Sequence, residues 1–506
     1  MRGCGDMTRL TIYFTSDTHG YLYPSDFACR EPRAMGLLSM RFPKDGNTLV
    51  IDGGDTIQGS PLLYYCRLQG RPLPVADAMN ARGYDYVTLG NHDFNNGQEE
   101  LRAYLGALEA RCLCANVDGT ALNLPIAPTA IRVMANGLRV GLVGLVTDWV
   151  NRWEKPEHLR GLRVSDPMTA ARNAVSVLRG QVDVLIGIYH GGIERDLATG
   201  RLLSQTDENI ACRLCEELPF DLLLTGHQHI SAANQRWHGV HLVQTPSNAT
   251  AYARITLEDD GFHSQLCTPP AQACLTPAES ALWQDVSTWL DQPIGRLSQS
   301  IWPEDKLAMA LHGSSIADFF NMVQLWATGA DISCASLGND IRGFDSRVTV
   351  RDVVASYIYS NTLVVLEVTG AVVMAALEQC ARYFAVDEEG RISVAESFLR
   401  PKEAHYNYDY FYGIEYAFDL SRPEGNRVTK LLRHGAPLRP EDKLTLCMCD
   451  YRATGSGSFD CYLSCPRISE NPTQVSELIL QYLVAHPMVD VPEEHPFHVT
   501  WNGHIL

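Results

Sequence analysis

Short apolar runs recur through the first half of the chain, and many of them stop at a cluster of polar side chains. Leu10–Thr15, Leu49–Asp52, Tyr86–Leu89, Cys112–Val117, Arg139–Val146, Val182–Tyr189, Leu222–Thr225, Val240–Gln244 and Arg254–Leu257 read as strands. Val140–Val146 has no polar position at all, the pattern of a strand covered on both faces. Helical spacing covers Pro74–Arg82, Glu99–Arg111 and Pro167–Arg179. Strands alternating with helices predict an α/β sandwich, a fold that collects ligands at its strand-end loops.

The pattern shifts near Cys267–Pro277, where prolines cluster. Ala278–Leu290 then reads as an amphipathic linking helix, and Asp291-Gln292-Pro293 as the opening of a second domain. Within it Ser315–Thr328, Val350–Ser356, Ala371–Phe384 and Gln474–Ala485 read as helices, and Leu363–Thr369 and Lys443–Cys449 as strands. A chain of 506 residues is too long for one core. The expected division is an α/β sandwich over residues 8–270, a linker helix or hinge over 271–292, and an α+β domain over 293–506.

The net charge of −18, with no basic stretch, excludes a groove for a nucleic acid polymer. A small anion can still be held if bound cations reverse the local field. The 15 cysteines are odd in number and sit in apolar runs, which favours reduced thiols over a disulfide framework. Cys212-x-x-Cys215 lacks the second pair of a zinc site. No apolar run reaches the roughly 18 residues of a membrane span. The segment before residue 8 has no apolar core of a secretory signal. The expectation is a cytoplasmic protein without a membrane partner.

The polar clusters carry the chemistry. They are Asp17-Thr18-His19, Gly53-Gly54-Asp55, Gly90-Asn91-His92-Asp93, His190-Gly191-Gly192 and Gly226-His227-Gln228-His229. Asp17, His19, Asp55, Asn91, His190, His227 and His229 are candidate metal ligands. Mixed imidazole and carboxylate donors suit divalent first-row metals such as Mn, Zn, Fe, Co or Ni. Asp17-x-His19 and His227-x-His229 would each present alternate side chains on one side of an extended segment. Seven donors exceed the needs of one ion, whereas two ions sharing Asp55 use them all. Such a pair, on the order of 4 Å apart, clamps the attacking and leaving oxygens of a displacement at phosphorus.

The order of these motifs resembles the calcineurin-like metallophosphoesterases. The resemblance implies that Asp17, His19 and His229 hold one ion, that Asn91, His190 and His227 hold the other, and that Asp55 bridges them. It implies that His92 contacts the phosphoryl group. The chain from about Leu10 to Leu483 also resembles the two-domain 5′-nucleotidases, through Tyr406-Asn407-Tyr408-Asp409, Gly413-Ile414-Glu415-Tyr416, Asp419-Leu420-Ser421 and Arg427-Val428. In that family two aromatic rings of the C-terminal domain sandwich the base, and the domains rotate about a hinge, matched here by Ala278–Asp291. Tyr451 matches one ring and Tyr359 the other. Without the resemblance, Tyr357 and Tyr359 read as residues packing alternately along a strand.

The departures from the family pattern are specific. Gly-Asn-His-Glu-Phe-Asp has become Gly90-Asn91-His92-Asp93-Phe94-Asn95, so Asn95 replaces the Asp that orients the histidine. Asn accepts a hydrogen bond from imidazole but cannot balance an imidazolium charge. The Asn form is similar to the 2′,3′-cyclic-nucleotide 2′-phosphodiesterase/3′-nucleotidase branch. Leu337-Gly338-Asn339-Asp340-Ile341-Arg342 is a degraded phosphate and sugar loop in which Arg342 survives. The expected function is a dinuclear-metal phosphohydrolase acting on small-molecule nucleotides. The alternatives are a hydrolase of a non-nucleotide phosphate or sulfur ester, and a non-catalytic nucleotide-binding sensor.

Overall fold

The computed structural model describes residues 9–28, 30–203, 207–359, 361–400, 402–471 and 473–506. The expected domain start at residue 8, and Ser360 beside Tyr359, lie outside them. The backbone divides between Gln284 and Asp285 into two compact units, inside helix Pro277–Leu290. No helix among the described residues is long and apolar enough to cross a membrane.

The first unit stacks two sheets. One has seven strands, in the order Gly261–Cys267, Tyr252–Glu258, Leu10–Thr15, Thr48–Asp52, Tyr86–Val87, Arg111–Leu113 and Ile126–Ala127. Its last five are mutually parallel, and the hairpin Tyr252–Cys267 closes its edge antiparallel. The second sheet runs Ala232–Trp237, Val240–Gln244, Leu222–Thr225, Val184–His190, Arg139–Val146 and Thr129–Val133, with its four central strands parallel.

Alternation along the strands decides which layer each side chain enters. Ile12, Phe14, Leu49 and Ile51 of one sheet pack against Val140, Leu142, Ile186 and Leu224 of the other. From the opposite face of the second sheet, Val143, Leu145, Leu185 and Leu223 pack against helices Pro167–Leu178 and Ala211–Glu217. Arg139–Val146 is therefore covered on both sides, as its pattern predicts. Parallel strands leave all their C-terminal ends on one edge, and the polar motifs follow those ends.

Three expected boundaries shift for tertiary reasons. The helix read over Glu99–Arg111 spans Gly97–Ala107, because Leu108 turns extended and Arg111 is taken into the sheet beside Tyr86. The strand read over Cys112–Val117 stops at Leu113. The buried amide of Asn116 then bonds Val146 and Ser165, and Val117–Asp118 pairs instead with Arg163–Val164. The helix read to Phe384 ends at Ala381, and Phe384–Val386 forms a hairpin with Ile392–Val394.

The second unit holds two five-stranded sheets around a single core. The first runs Asp409–Tyr412, Ile332–Ser336, Lys443–Cys449, Leu363–Thr369 and Arg467–Asn471. Helices Ser315–Thr328 and Gly370–Ala381 contribute Phe319, Phe320, Val373 and Leu377 to the core. The second sheet, from Ala436–Pro437 to His504–Ile505, is formed by short strands that the apolar pattern did not reveal. All thirteen cysteines among the described residues are free thiols. Cys212 and Cys215 are buried on their helix, and burial pushes the Cys215 thiol up to about 12.

Candidate metal centre

All seven candidate ligands meet at the shared edge of the two sheets. Asp17 and His19 follow Leu10–Thr15, Asp55 follows Thr48–Asp52, and Asn91 opens the short helix Asn91–Phe94 after Tyr86–Val87. His190 is the last residue of its strand, and His227 and His229 follow Leu222–Thr225. Asp17, His19, Asp55 and His229 offer donor atoms that all lie within 4.8 Å of one another. His19 Nε2 faces His229 Nε2 at 3.2 Å. Beside them, Asn91 Oδ1 lies 3.2 Å from His190 Nε2 and 2.9 Å from His227 Nδ1, and His190 Nε2 lies 3.2 Å from Asp55 Oδ2.

The backbone at these positions is unusual. Asp17, His19, Asp55, His227 and His229 all have φ between 48° and 74°. Few non-glycine residues adopt the left-handed region, and each does so at a cost of roughly 1–3 kcal/mol. The expectation of extended Asp-x-His and His-x-His segments is therefore corrected. The chain turns sharply once each strand ends, and the turn aims both donors inward. Gly90 permits a close approach: a Cβ there would sit 2.2 Å from Asp55 Oδ1 and 2.3 Å from its main-chain nitrogen.

The donors are pre-oriented. His19 Nδ1 lies 2.9 Å from the Gln58 carbonyl oxygen, and a carbonyl only accepts, so Nδ1 carries the hydrogen and Nε2 turns its lone pair inward. Asp17 accepts from the His227 main-chain N–H and the Ser16 hydroxyl. Burial would raise its carboxyl, but His229 and His190 outweigh this and hold it below the usual carboxylate range. Burial likewise opposes ionisation of Asp55, and His190, His92 and His19 reverse the effect. Asp55 Oδ2 is buried with no hydrogen-bond partner. An ionised, desolvated carboxylate ringed by imidazole nitrogens is a donor set that suits a divalent cation.

His92 stands beside this cluster, its ring 5.6 Å from that of His19 and its main-chain N–H donating to Asp55 Oδ1. Its Nδ1 lies 2.7 Å from Asn95 Oδ1, the pairing expected from the sequence.

In the second unit, Tyr451 belongs to the first turn of the short helix Asp450–Ala453, and Tyr359 lies in the loop before Leu363–Thr369. Residues 357–359 are not a strand, so the reading of Tyr357 and Tyr359 as alternating strand residues is corrected. Tyr357 caps a helix and packs edge-on against Phe320. Tyr406 stands 6.5 Å from Tyr451, ring to ring, and also neighbours Tyr359. Arg342 is exposed on the loop after Ile332–Ser336.

Comparison with known proteins places both units. Residues 10–231 match the calcineurin-like phosphoesterase model, and residues 293–463 match the 5′-nucleotidase C-terminal domain model. A solved structure from Staphylococcus aureus, described as a candidate 5′-nucleotidase in complex with α-ketoglutarate, superposes with a TM-score of 0.89 at 29% identity over 97% of this chain and 99% of that one. A 2′,3′-cyclic-nucleotide 2′-phosphodiesterase/3′-nucleotidase of Haemophilus influenzae is 23% identical over 94% of this chain and 84% of its own length. A probable 5′-nucleotidase of Treponema pallidum is 36% identical, over 39% of this chain and 35% of its own.

The chain belongs to the 5′-nucleotidase/2′,3′-cyclic phosphodiesterase family.

Several groups that shape this family member's site carried no assignment from sequence. Asp93 accepts the main-chain N–H groups of Gly90, Asp55, Thr56 and Ile57, holding two ligand loops together. Asp52 accepts from Thr15, Thr56 and Gly54, and burial pushes its carboxyl up to about 7. Glu208 Oε1 lies 2.8 Å from His227 Nε2, and Trp153 stacks on the same ring. Arg452 is buried against Asp409 at 2.9 Å, lies over the Phe459 ring and donates to the Tyr406 and Ser456 carbonyls. It thereby ties together the loops of Tyr451 and Tyr406. Gly457 has φ 76°, and a Cβ there would lie 2.5 Å from the Arg452 guanidinium.

Proposed function

We propose that the protein is a dinuclear-metal phosphohydrolase that releases phosphate from nucleotides, as a 5′-nucleotidase, a 2′,3′-cyclic phosphodiesterase/3′-nucleotidase, or both. The observation that carries this reading is the convergence of seven donors from two sheets, five of them on left-handed backbone, around the buried Asp55 carboxylate. Asp17, His19 and His229 would hold one ion and Asn91, His190 and His227 the other, with Asp55 shared. Two divalent ions supply charge neutralisation at the phosphoryl oxygens and lower the pKa of water.

The chain's own groups do the rest. His92 is placed to meet a phosphoryl oxygen and stabilise the charge that develops there. The main-chain carbonyls of Gln58 and Gly53 hold the His19 and His190 imidazoles, and Glu208 holds that of His227, so little reorganisation is needed. Tyr451 and Tyr359 would stack on the base, and the Arg342 guanidinium has the fork geometry to pair with phosphate. Likeness to a 2′,3′-cyclic-nucleotide 2′-phosphodiesterase/3′-nucleotidase of Haemophilus and a probable 5′-nucleotidase of Treponema supports a nucleotide substrate.

The test is phosphate release from AMP, 3′-AMP, 2′,3′-cyclic AMP and p-nitrophenyl phosphate, by chelated protein with and without added Mn. Metal-dependent release favouring one nucleotide class is expected. Equal release from the non-nucleotide ester, or no release from any, overturns the reading.

A further inference from the structure

Asn95 leaves His92 without the carboxylate expected from the family pattern, but a carboxylate stands directly behind it. Asn95 Nδ2 donates to Glu154 Oε2 at 2.7 Å. Glu154 follows helix Val150–Trp153, 59 residues further along the chain, and its side chain is 6% exposed. Its other oxygen lies 2.8 Å from both His158 Nδ1 and the Lys155 main-chain nitrogen. Burial opposes its charge, and the bonds from His158, Asn95 and Lys155 outweigh burial.

The chemistry of this relay runs in one direction. A carboxylate only accepts, so the Asn95 atom beside Glu154 is the amide nitrogen. The atom facing His92 is then the amide oxygen, which also only accepts. His92 Nδ1 must therefore carry the hydrogen, and Nε2 is left as the atom presented to the site. Were Glu154 unable to accept, the Asn95 amide could turn over and offer N–H to His92, reversing the tautomer.

We infer that Glu154 is a positioning residue that fixes the tautomer of His92 through the Asn95 amide, replacing the direct carboxylate contact. The inference rests on the proposed phosphohydrolase reading for its activity arm alone.

The experiment is a cycle of four proteins: parent, Glu154→Leu, Asn95→Asp, and the double variant that carries both changes. Glu154→Leu should lower kcat roughly 10- to 100-fold with little change in KM, as losses of orienting partners do. Glu154→Gln, which keeps an acceptor, should recover most of that loss. Asn95→Asp alone sets two carboxylates face to face and should also be impaired. In the double variant the introduced carboxylate accepts from His92 directly, so the Glu154→Leu change should now raise kcat instead of lowering it. Additive losses in the double variant overturn the inference.

An arm independent of turnover uses 15N-histidine NMR on the metal-free proteins, with His92→Ala supplying the assignment. Parent His92 should show the Nδ1–H form, and Glu154→Leu a mixture with the Nε2–H form. An unchanged tautomer in Glu154→Leu overturns the inference even if activity falls. Should the parent release no phosphate from any ester, the functional reading fails and this arm still decides the role of Glu154.

Discussion

His190 Nδ1 lies 2.7 Å from the carbonyl oxygen of Gly53. The two residues stand at strand ends in different sheets, so this bond crosses the sandwich at the site. The carbonyl accepts, so Nδ1 holds the hydrogen and Nε2 is directed at Asn91 and Asp55. Gln58 treats His19 the same way. Two main-chain oxygens thus orient two candidate ligands that arrive from opposite sheets.

Asp55 is the candidate ligand that both groups of donors approach. Its Oδ1 accepts from the His92 N–H, while Oδ2 stays without a hydrogen bond between His190 and His19. Asp55→Ala should lower phosphate release by roughly three orders of magnitude or more with every substrate. Metal content by elemental analysis should fall with it, while the circular dichroism stays that of the parent. Normal turnover by Asp55→Ala would remove the shared role.

How far the site is legible in the sequence depends on whether each residue sits at the end of an apolar run. Asp17, His19, Asp55, Asn91, His190, His227 and His229 each follow an apolar run, so period and punctuation exposed them. Glu154 and Glu208 sit in polar loops with no such run before them, and Arg452 resembles any arginine until its partner Asp409 is seen. Their roles arise from contacts between distant segments, which no local pattern records. The same holds for the fold. Long buried strands such as Arg139–Val146 were legible, whereas Val117–Asp118 and the short strands of the last sheet depend on pairing partners.

Tyr451 offers a test that separates base binding from chemistry. Its ring stands in the first turn of Asp450–Ala453 beside Tyr406. Stacking on a base contributes about 1–3 kcal/mol, so Tyr451→Ala should raise KM for nucleotides roughly ten-fold or more. Both kcat and the hydrolysis of p-nitrophenyl phosphate should change little. A fall in kcat with KM unaltered would place Tyr451 away from the base. Tyr359→Ala should behave in the same way if the two rings form one clamp.

Arg452 ties together the loops that carry Tyr451 and Tyr406. Its guanidinium and the Asp409 carboxylate are each 2% exposed, and removing one partner leaves the other charge buried and uncompensated. Arg452→Met should destabilise the second unit by about 3–5 kcal/mol, read as lost hydrogen-exchange protection in Asp409–Tyr412 and Lys443–Cys449. Combining Arg452→Met with Asp409→Asn removes both charges and should recover a large part of that protection. No recovery would show that the guanidinium acts through the Tyr406 and Ser456 carbonyls rather than through the ion pair.

A pH effect should arise away from the metal centre, at His241 on strand Val240–Gln244. Its ring is fully buried, Nε2 lies 2.8 Å from Ser264 Oγ, and Nδ1 has no hydrogen-bond partner. Burial, reinforced by Arg236 and His263, lowers its pKa to about 4. An unfolded histidine titrates near 6.5, so above that pH both states are neutral and His241 adds no pH dependence. As pH falls below about 6.5 the unfolded chain gains a proton that the folded ring refuses. Stability should therefore decline until about pH 4, where the folded ring also protonates. His241→Gln keeps a polar partner for Ser264 and removes the titration. With chelator present, so that the ligand histidines contribute equally to both proteins, the urea midpoint of the first unit should fall less steeply for His241→Gln than for the parent across this window. Parallel curves would mean that the ring is not held neutral, and that the chain opens around Ser264 to let water reach Nδ1.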